Sequence, residues 1–295
     1  MATERRVRAR RALFGLSTVL GLRPLGFFIP YRYAARVRPE GYPALERVLE
    51  AAEPAMWTVL AEIERYGDDL LRIAAGPGPA RFDQDWFPRL DAAAAYALVR
   101  RYEPRRIVEV GSGHSTRFLA RAVADGGLDA TLTAIDPSPR ANLAGLAVRH
   151  EPRLLSEADP ALFAELEPGD LLFVDSSHVA MPGTDLDRLV GDILPRLAPG
   201  VLVHLHDIFL PDPYPPDWSW RGYNEAIVAA ALVAGRGYEI VFASHWMATR
   251  RPAWLADGIL ARLPLLPGAR ETSLWLRTRP AGRAPGEAPW PSRRT

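Results

Sequence analysis

The stretch Ile107-Val-Glu-Val-Gly-Ser-Gly-His-Ser-Thr116 decides the fold of this chain. An apolar run typical of a buried strand leads into Gly111-Ser-Gly113, and a helical pattern follows. Glycines at the end of a strand let a ligand approach the backbone, and the first turn of a helix offers free N–H groups. The sequence therefore predicts a strand, a glycine turn and a helix that together bind a ligand.

Short apolar runs alternate with helical stretches on the C-terminal side of this motif. Apolar runs bounded by Gly, Pro or Asp favour strands buried on both faces, and the alternation predicts a parallel sheet with helices on both sides. Only the short stretch 253–262 separates the last two strands, so we expect the last strand to be antiparallel. The further predicted strands are 131–136, 170–175, 200–207, 238–246 and 272–278, and the predicted helices are 115–125, a short one after 136, 184–197 and 222–235.

The chain divides into three predicted regions. Residues 1–84 form an N-terminal helical extension, which includes a helical pattern over 43–75 and ends near a Gly-Pro break at 76–79. Residues 85–279 form the α/β domain, whose first helix covers 88–103. Residues 280–295 hold four Pro, three Arg and little apolar content, which predicts a disordered tail.

Composition excludes several kinds of chemistry. The 295 residues contain no Cys, so disulfides, Cys-ligated zinc, iron–sulfur clusters and thiol nucleophiles are ruled out. Every one of the 36 basic residues is Arg, which rules out a lysine base or Schiff base. Any base near neutral pH must be one of six His or a carboxylate with a shifted pKa. A net charge of +1 argues against nucleic-acid binding by global charge.

The N-terminus is both basic and apolar. Residues 1–38 hold nine Arg and a single acid, Glu4, and residues 12–30 are rich in apolar side chains. The apolar stretch is interrupted by Arg23, Pro24 and Gly, and it falls short of the ~20 residues that a membrane span needs. Two alternatives remain open: the segment packs on the protein itself, or it contacts a membrane surface. The predicted location is cytoplasmic, with membrane association as the second possibility.

Two acids flank the glycine turn. Glu109 lies inside the strand, where it suits a ligand with a cationic end better than a pyrophosphate. Asp136 ends the next strand, 23 residues after Gly113, close to the ~20 expected for a carboxylate that binds ribose hydroxyls. A dinucleotide turn of the G-x-G-x-x-G type would need a third Gly where this chain has Thr116.

Four motifs occur in a characteristic order: EVGSGHST (109–116), AIDPSP (134–139), LLFVDSSH (171–178) and GVLVHLHDIF (200–209). Over residues 85–279 they resemble class I S-adenosylmethionine-dependent methyltransferases, most closely a bacterial subgroup similar to small-molecule O-methyltransferases. The resemblance implies a Rossmann-like, seven-stranded sheet with S-adenosylmethionine as cofactor. It places the methionine part at Glu109, Gly111, Ser112, Gly113 and Ser115, and the ribose at Asp136. Either Glu157 or Asp159 would lie near the adenine.

The resemblance also implies catalytic and metal-binding positions. Metal-dependent members align Asp175, His206 and Asp207 with their ligands, and a ligand set with His favours Mn²⁺, Fe²⁺ or Zn²⁺ over Mg²⁺. The family's catalytic lysine aligns with His178, which together with Asp175 forms the predicted catalytic pair. His204 shares a strand face with His206 and is expected to point the same way. His114 is the candidate for a cap beside the cofactor, whereas His150 and His245 are expected to be structural.

The acceptor pocket is predicted in the loop after the fifth strand, because such loops build the ligand crevice of parallel sheets. Asn224 or Glu225 would supply polar contacts, and Trp86 with Phe87 would close over the cofactor. The alternative is a Pro-rich loop whose aromatic side chains only cover the sheet edge. The candidate aromatic residues are Tyr214, Trp218, Trp220 and Tyr223.

These features predict methyl transfer to an oxygen, or else a nitrogen, of a small molecule, with possible help from a divalent metal. Two other classes stay open. One is a NAD-type oxidoreductase, against which Thr116 and Glu109 count. The other is a cofactor-binding or membrane-surface protein of the same fold that transfers no methyl group. The oligomeric state is left undetermined.

Overall fold

A seven-stranded sheet lies at the centre of the protein, which we describe from a computed structural model covering residues 2–235 and 237–280, with the side chains of residues 2–5 and 8 left out. The predicted tail, 280–295, lies outside the described residues apart from Pro280. The strands are β1 Arg106–Val110, β2 Thr131–Ile135, β3 Arg149–Glu151, β4 Leu171–Val174, β5 Leu202–Leu205, β6 Tyr238–Ala243 and β7 Leu274–Thr278.

Ten α-helices flank the sheet in the part of the chain that is described. They are α1 Ala2–Val19, α2 Glu46–Ala51, α3 Glu53–Arg65, α4 Gly67–Ala75, α5 Arg89–Tyr102, α6 His114–Gly126, α7 Ala161–Ala164, α8 Asp185–Arg188, α9 Glu225–Ala234 and α10 Ser244–Arg250.

The strand order is β3-β2-β1-β4-β5-β7-β6. β1 to β5 are parallel, and β7 runs antiparallel to both β5 and β6. This confirms the predicted Rossmann-like, mostly parallel sheet with an antiparallel last strand. The chain leaves β1 towards β2 on one side and returns to β4 on the other, which creates the switch point where open α/β sheets bind ligands.

The strand register brings the predicted site residues to one edge. Val110 pairs with Val174, and Val174 pairs with Leu205, so the residues that follow these strands leave the sheet side by side. Parallel strands lie about 4.8 Å apart, which puts the chains after β1, β4 and β5 within side-chain reach of each other. β1, β4 and β5 are almost wholly buried, as their continuous apolar runs predict.

Most predicted elements are found within a residue or two, but three differ. The segment 137–148 forms turns where a short helix was expected. The helix predicted over 184–197 is broken into α8, a π-helical turn at Leu189–Ile193 and a 3₁₀ turn at Leu194–Arg196, because Pro195 has no N–H to continue an α-helix. The last part of the predicted strand 238–246 is the start of α10. Trp246 and Met247 are buried there, and a short buried apolar run is typical of both a strand and a helix.

The helices before the glycine motif pack on the sheet domain. α3 contacts α5 and β6, and Leu49, Met56 and Ile63 belong to the same hydrophobic core as the sheet. The predicted boundary between residues 84 and 85 falls in the loop between α4 and α5, and the division into regions stays a prediction. α1 and residues 20–38 are different, because nearly all their large apolar side chains are exposed. No helix among the described residues is long and apolar enough to span a bilayer.

Candidate active site

A cleft of about 610 Å³ opens at the carboxyl ends of β1, β2 and β4. The glycine turn and the start of α6 form one side, and Asp136 to Arg140 form another. Trp86 and Phe87 line it as well, as the sequence predicted. The predicted cofactor residues that line the cleft are Gly111, Ser112, Gly113, Ser115 and Asp136.

Gly111 is required by the backbone of the turn. Its φ of +83° lies in the left-handed region, and a Cβ built on it would come within 1.8 Å of the carbonyl oxygen of Asp175. The glycine therefore lets the loops after β1 and β4 lie against each other. At Gly113 a Cβ would meet no atom within 4 Å, so the second glycine borders open space in the cleft.

Glu109 is completely buried beneath the turn and does not line the cleft. Its Oε1 accepts a hydrogen bond of 2.6 Å from Ser115 Oγ, and its Oε2 has no hydrogen-bond partner among the described residues. Burial raises the pKa of Glu109 to about 8, although hydrogen bonds from Ser115 and Thr116 oppose the rise. The sequence predicted a position for Glu109 near the end of β1, next to the ligand. The structure has the carboxyl there, but below the floor of the cleft.

Asp136 joins the turn to the end of β2. Its Oδ2 accepts hydrogen bonds of 2.8 Å from both the backbone N and the Oγ of Ser112, and its Oδ1 accepts one of 2.7 Å from the backbone N of Ser138. The carboxylate thus holds the glycine turn in place while still lining the cleft. Neither Glu157 nor Asp159 lines the cleft, and both carboxylates accept hydrogen bonds from nearby backbone.

A second cavity of about 330 Å³ adjoins the cleft. The two share three wall residues: Trp86, Arg140 and Asp175. The guanidinium carbon of Arg140 lies 4.8 Å from the centre of the Trp86 ring, so a cation rests on the aromatic face at the junction. The remaining lining residues are mostly charged or aromatic: Asp85, His206, Asp207, Asp217, Trp218, Arg221, Gly268, Ala269 and Arg270.

Three acids surround the imidazole of His178. Nδ1 lies 2.8 Å from Glu225 Oε2, and Nε2 lies 3.2 Å from Asp175 Oδ1 and 3.6 Å from Asp207 Oδ2. Burial alone would lower the pKa of His178, but these carboxylates raise it well above its ordinary value. Burial likewise raises the pKa of Asp175, yet the imidazoles of His206 and His178 outweigh it and hold the pKa of that carboxyl far below its usual range.

This geometry changes the prediction that His178 is the base. The imidazole is 1% exposed and lines neither cavity, and the surrounding carboxylates raise its pKa, which favours the protonated form. Asp175 is the member of the predicted pair that borders both cavities. His178 and Asp207 each have φ near +57°, an uncommon backbone conformation for residues with side chains, and such residues cluster at functional sites.

The predicted metal ligands do not form a metal site. Among the described residues no group of three or more His, Asp or Glu is arranged to hold a metal ion. The reason is visible at His178, whose Nε2 occupies the space between the carboxylates of Asp175 and Asp207. His206 Nε2 donates instead to the carbonyl oxygen of Trp86 at 3.0 Å. The donor atoms of these residues therefore do not fit a cation.

Three of the other histidines have structural partners. His204 is fully buried, stacks on Phe173 with ring centres 3.7 Å apart, and lies 3.0 Å from Ser273 Oγ, so it belongs to the core despite sharing a strand with His206. His150 bonds to the carbonyl oxygen of Asp136, and His245 bonds to Asp212. His114 lines the cleft, and burial lowers its pKa to about 4.

The four aromatic residues predicted for the acceptor pocket, all in the loop after β5, lie in different environments. Trp218 lines the second cavity, where the guanidinium of Arg221 stacks 4.0 Å from its ring centre. Tyr223 packs 4.5 Å from the His178 ring. Tyr214 accepts a hydrogen bond from the start of α9. Trp220 lies on the far side of the loop, away from the second cavity.

Sequence reasoning did not find the contact between Glu225 and His178, and it did not single out Arg140. Glu225 was considered only for acceptor contacts, but it begins α9 and binds His178, 47 residues earlier. Arg140 gave no signal because it stands alone in a turn segment. A buried acid at the start of a helix, where it meets the positive end of the helix dipole, is the one local feature that could have pointed to Glu225.

Comparison with known proteins relates this site to methyltransferases. Residues 108–208, from β1 to just beyond β5, match the family model described as a methyltransferase domain. Over these residues, the chain is similar to methyltransferase domains. The match spans the glycine turn, Asp136, Asp175 and His178, and it favours methyl transfer over the oxidoreductase alternative. No curated protein matches the chain.

Solved structures of methyltransferases are also similar in part. A methyltransferase of Podospora anserina bound to S-adenosylhomocysteine (SAH) is 16% identical, with a TM-score of 0.42, over 86% of this chain and 100% of its own. An O-methyltransferase from Bacillus cereus in complex with SAH is 15% identical, with a TM-score of 0.40, over 76% of this chain and 91% of its own. Both likenesses are distant.

Proposed function

We propose that this methyltransferase acts on an oxygen atom of a small, polar acceptor. The observation that carries the proposal is that the cleft and the second cavity meet at Asp175. Methyl transfer needs the acceptor, the methyl carbon and the sulfur in one line, and two cavities with a common wall provide two binding sites that face each other. We call the larger cavity the cofactor cleft and the smaller one the acceptor pocket.

S-adenosylmethionine fits the residues of the cofactor cleft. Open space at Gly113 and the first turn of α6, whose N–H groups have no partner within the helix, suit the carboxylate of the methionine part, alongside Gly111, Ser112 and Ser115. Asp136 has lone pairs beyond its three hydrogen bonds and is assigned to the ribose hydroxyls.

Glu109 is assigned to the cationic amino end of the cofactor. Its buried Oε2 has no partner, and an unpaired carboxylate in such a place is costly without a cation nearby. Ser115, which binds Glu109 and also lines the cleft, connects the carboxyl to the ligand. A pKa of about 8 keeps Glu109 largely protonated in the free protein at neutral pH, and an ammonium group nearby would lower that pKa again.

The acceptor pocket suits a compact molecule with polar groups. Its volume lies at the small end of the range for ligand sites, and charged side chains dominate its lining. Arg270 is paired with Asp217 by two hydrogen bonds, whereas Arg140 and Arg221 rest on aromatic rings. One Arg221 N–H donates to the Tyr223 hydroxyl, and the other N–H groups of Arg221 and those of Arg140 remain for ligand oxygens.

Asp175 is proposed as the proton acceptor. S-adenosylmethionine supplies a methyl group on a positively charged sulfur. The low pKa of Asp175 keeps its carboxylate ionised, so it can accept a hydrogen bond from an acceptor hydroxyl and orient the oxygen. As the oxygen bonds the methyl carbon it gains a third bond partner and a positive charge, so it becomes strongly acidic, and its proton can then pass even to a weak base such as the Asp175 carboxylate. His178, held by Glu225, fixes Asp175 and Asp207 from behind and is a positioning residue.

Methyl transfer from labelled S-adenosylmethionine to a panel of phenols, catechols, hydroxy acids and amines tests the proposal. Labelled product with an ether or ester linkage supports it, and a methylamine product would replace oxygen by nitrogen as the acceptor atom. A rise in melting temperature with SAH but not with NAD is expected, because only a ligand of the native state stabilises it. SAH binding without turnover on any acceptor would favour a non-catalytic protein of this fold.

A further inference from the structure

Residues 13–37 expose an unusual amount of apolar surface. Of the 21 exposed large apolar side chains in the described part of the chain, twelve fall in this segment. Leu22 is 77% exposed, and Phe28 and Ile29 are each more than 60% exposed. Soluble proteins rarely expose contiguous apolar patches of this kind unless they bind something there. We call residues 13–37 the apolar segment.

The same end of the chain carries nearly all of its positive charge imbalance. Residues 1–38 contain nine arginines and one acid, a net charge of +8. The remaining residues contain 27 arginines and 34 acids, a net charge of −7. An anionic surface would therefore attract this end and repel the rest, so the charge distribution fixes an orientation as well as an affinity.

The structure places charge and apolar groups together. Leu13, Leu16 and Leu20 recur at helical spacing and share one exposed face of the helical turns that end α1. Arg10 and Arg11 lie on the same helix, less than one turn before Leu13. Arginine stems can lie along an apolar surface while the guanidinium groups reach lipid headgroups, which is the arrangement of interfacial helices.

A groove of about 830 Å³ lies beside the apolar segment and extends to the acceptor pocket. α1 and residues 25–29 form one wall. The other wall consists of Val179, Met181, Trp220, Arg221, Gly222 and Asn224. Arg221 lines both the groove and the acceptor pocket. Trp220, about half exposed, lies in the same wall, and tryptophan is enriched where proteins meet the bilayer interface.

We propose that the apolar segment docks this enzyme on an anionic membrane surface. The apolar side chains enter the headgroup boundary, the N-terminal arginines bind anionic headgroups, and the loop that borders the acceptor pocket comes to lie beside the bilayer. A neutral apolar partner would not account for nine arginines. A second copy of the chain is the remaining alternative, and it predicts a dimer in solution instead of lipid binding.

Sedimentation with vesicles of phosphatidylcholine, with and without phosphatidylglycerol, tests the proposal. The full chain should bind the anionic vesicles, bind neutral ones far less, and be released as salt is raised. An Arg10→Gln/Arg11→Gln variant should bind about fivefold more weakly for each arginine, the equivalent of ~1 kcal/mol per charge. A Phe28→Ser/Ile29→Ser variant should also lose binding, because the inserted apolar groups are gone.

Matched control variants distinguish docking through the apolar segment from nonspecific electrostatic or hydrophobic binding by other parts of the surface. Arg65→Gln/Arg196→Gln removes the same charge from side chains that are about 70% exposed elsewhere, and Ile227→Ser removes an exposed apolar group of similar accessibility. Both controls should bind vesicles as the parent does, and all variants should keep the parent melting temperature. Equal binding to neutral and anionic vesicles, equal losses in the control variants, or a dimer that ignores vesicles would each overturn the proposal.

Discussion

Replacement of Asp136 tests the cofactor assignment in most detail. The carboxylate has two tasks in the structure: it accepts three hydrogen bonds that shape the glycine turn, and it lines the cleft where the ribose is assigned. Asp136→Asn keeps the size of the side chain and one carbonyl oxygen, but it removes the charge. Asp136→Ala removes both tasks together.

The magnitude follows from the bonds that are lost. A hydrogen bond to a charged group contributes about 1.5–3 kcal/mol. We expect Asp136→Ala to weaken SAH binding by ~1–3 kcal/mol, which is roughly a 5- to 150-fold rise in Kd. Asp136→Asn should lose less, because its oxygen can still accept from Ser112.

Isothermal titration calorimetry with SAH measures the effect, and two controls give it meaning. Ser112→Ala removes the hydroxyl bond to Asp136 but keeps the backbone bond, so it reports what loosening the turn costs. An SAH analogue that lacks the ribose hydroxyls should bind the parent and the Asp136→Ala variant more nearly alike. An equal penalty for SAH and the analogue would show that Asp136 acts only on the turn, and unchanged SAH affinity would refute the assignment.

Four further predictions concern the rest of the site. Asp175→Asn should lower kcat by ~10²–10⁴-fold while SAH binding is largely kept, as single-turnover assays and calorimetry would show; full activity would remove Asp175 from the mechanism. Burial raises the pKa of Glu109 from 4.5 to about 8, so the folded protein holds this proton more tightly than the unfolded chain, and the stability that it contributes is lost as pH rises through 8. The melting temperature of the ligand-free parent should therefore fall more than that of Glu109→Gln between pH 4.5 and pH 8, and parallel curves would contradict the raised pKa. Chelators should leave activity unchanged, since no described residues form a metal site, and rescue by a divalent ion after inactivation would restore the metal hypothesis. Gly111→Ala should fold poorly because its Cβ meets the Asp175 carbonyl, whereas Gly113→Ala should fold normally and lose SAH affinity; equal melting temperatures would contradict the close approach at Gly111.

The fold was predictable because its signals are local. The apolar runs at β1, β4 and β5 and the glycines after β1 each sit within a few residues, and strand–helix alternation then determines the parallel sheet. β3 was not predicted from the sequence, because Arg149–Glu151 is a short edge strand with no apolar run. The start of α10 was predicted as strand because a short buried apolar run has the same composition in either structure.

The site was only partly predictable because its chemistry depends on contacts between distant residues. The residues after β1, β2 and β4 could be placed at one edge from topology alone. The pairing of His178 with Glu225 could not, since it depends on how the loop before α9 folds back. That pairing holds the imidazole between Asp175 and Asp207, so the spacing that suggested a metal site does not lead to one among the described residues.

A crystal structure of the protein soaked with SAH tests the central claim most directly. The account predicts the ribose against Asp136, the homocysteine end at the glycine turn above Glu109, and the sulfur directed at Asp175 where the cofactor cleft meets the acceptor pocket. SAH bound with its sulfur directed away from Asp175, or bound outside the cleft, would contradict the account.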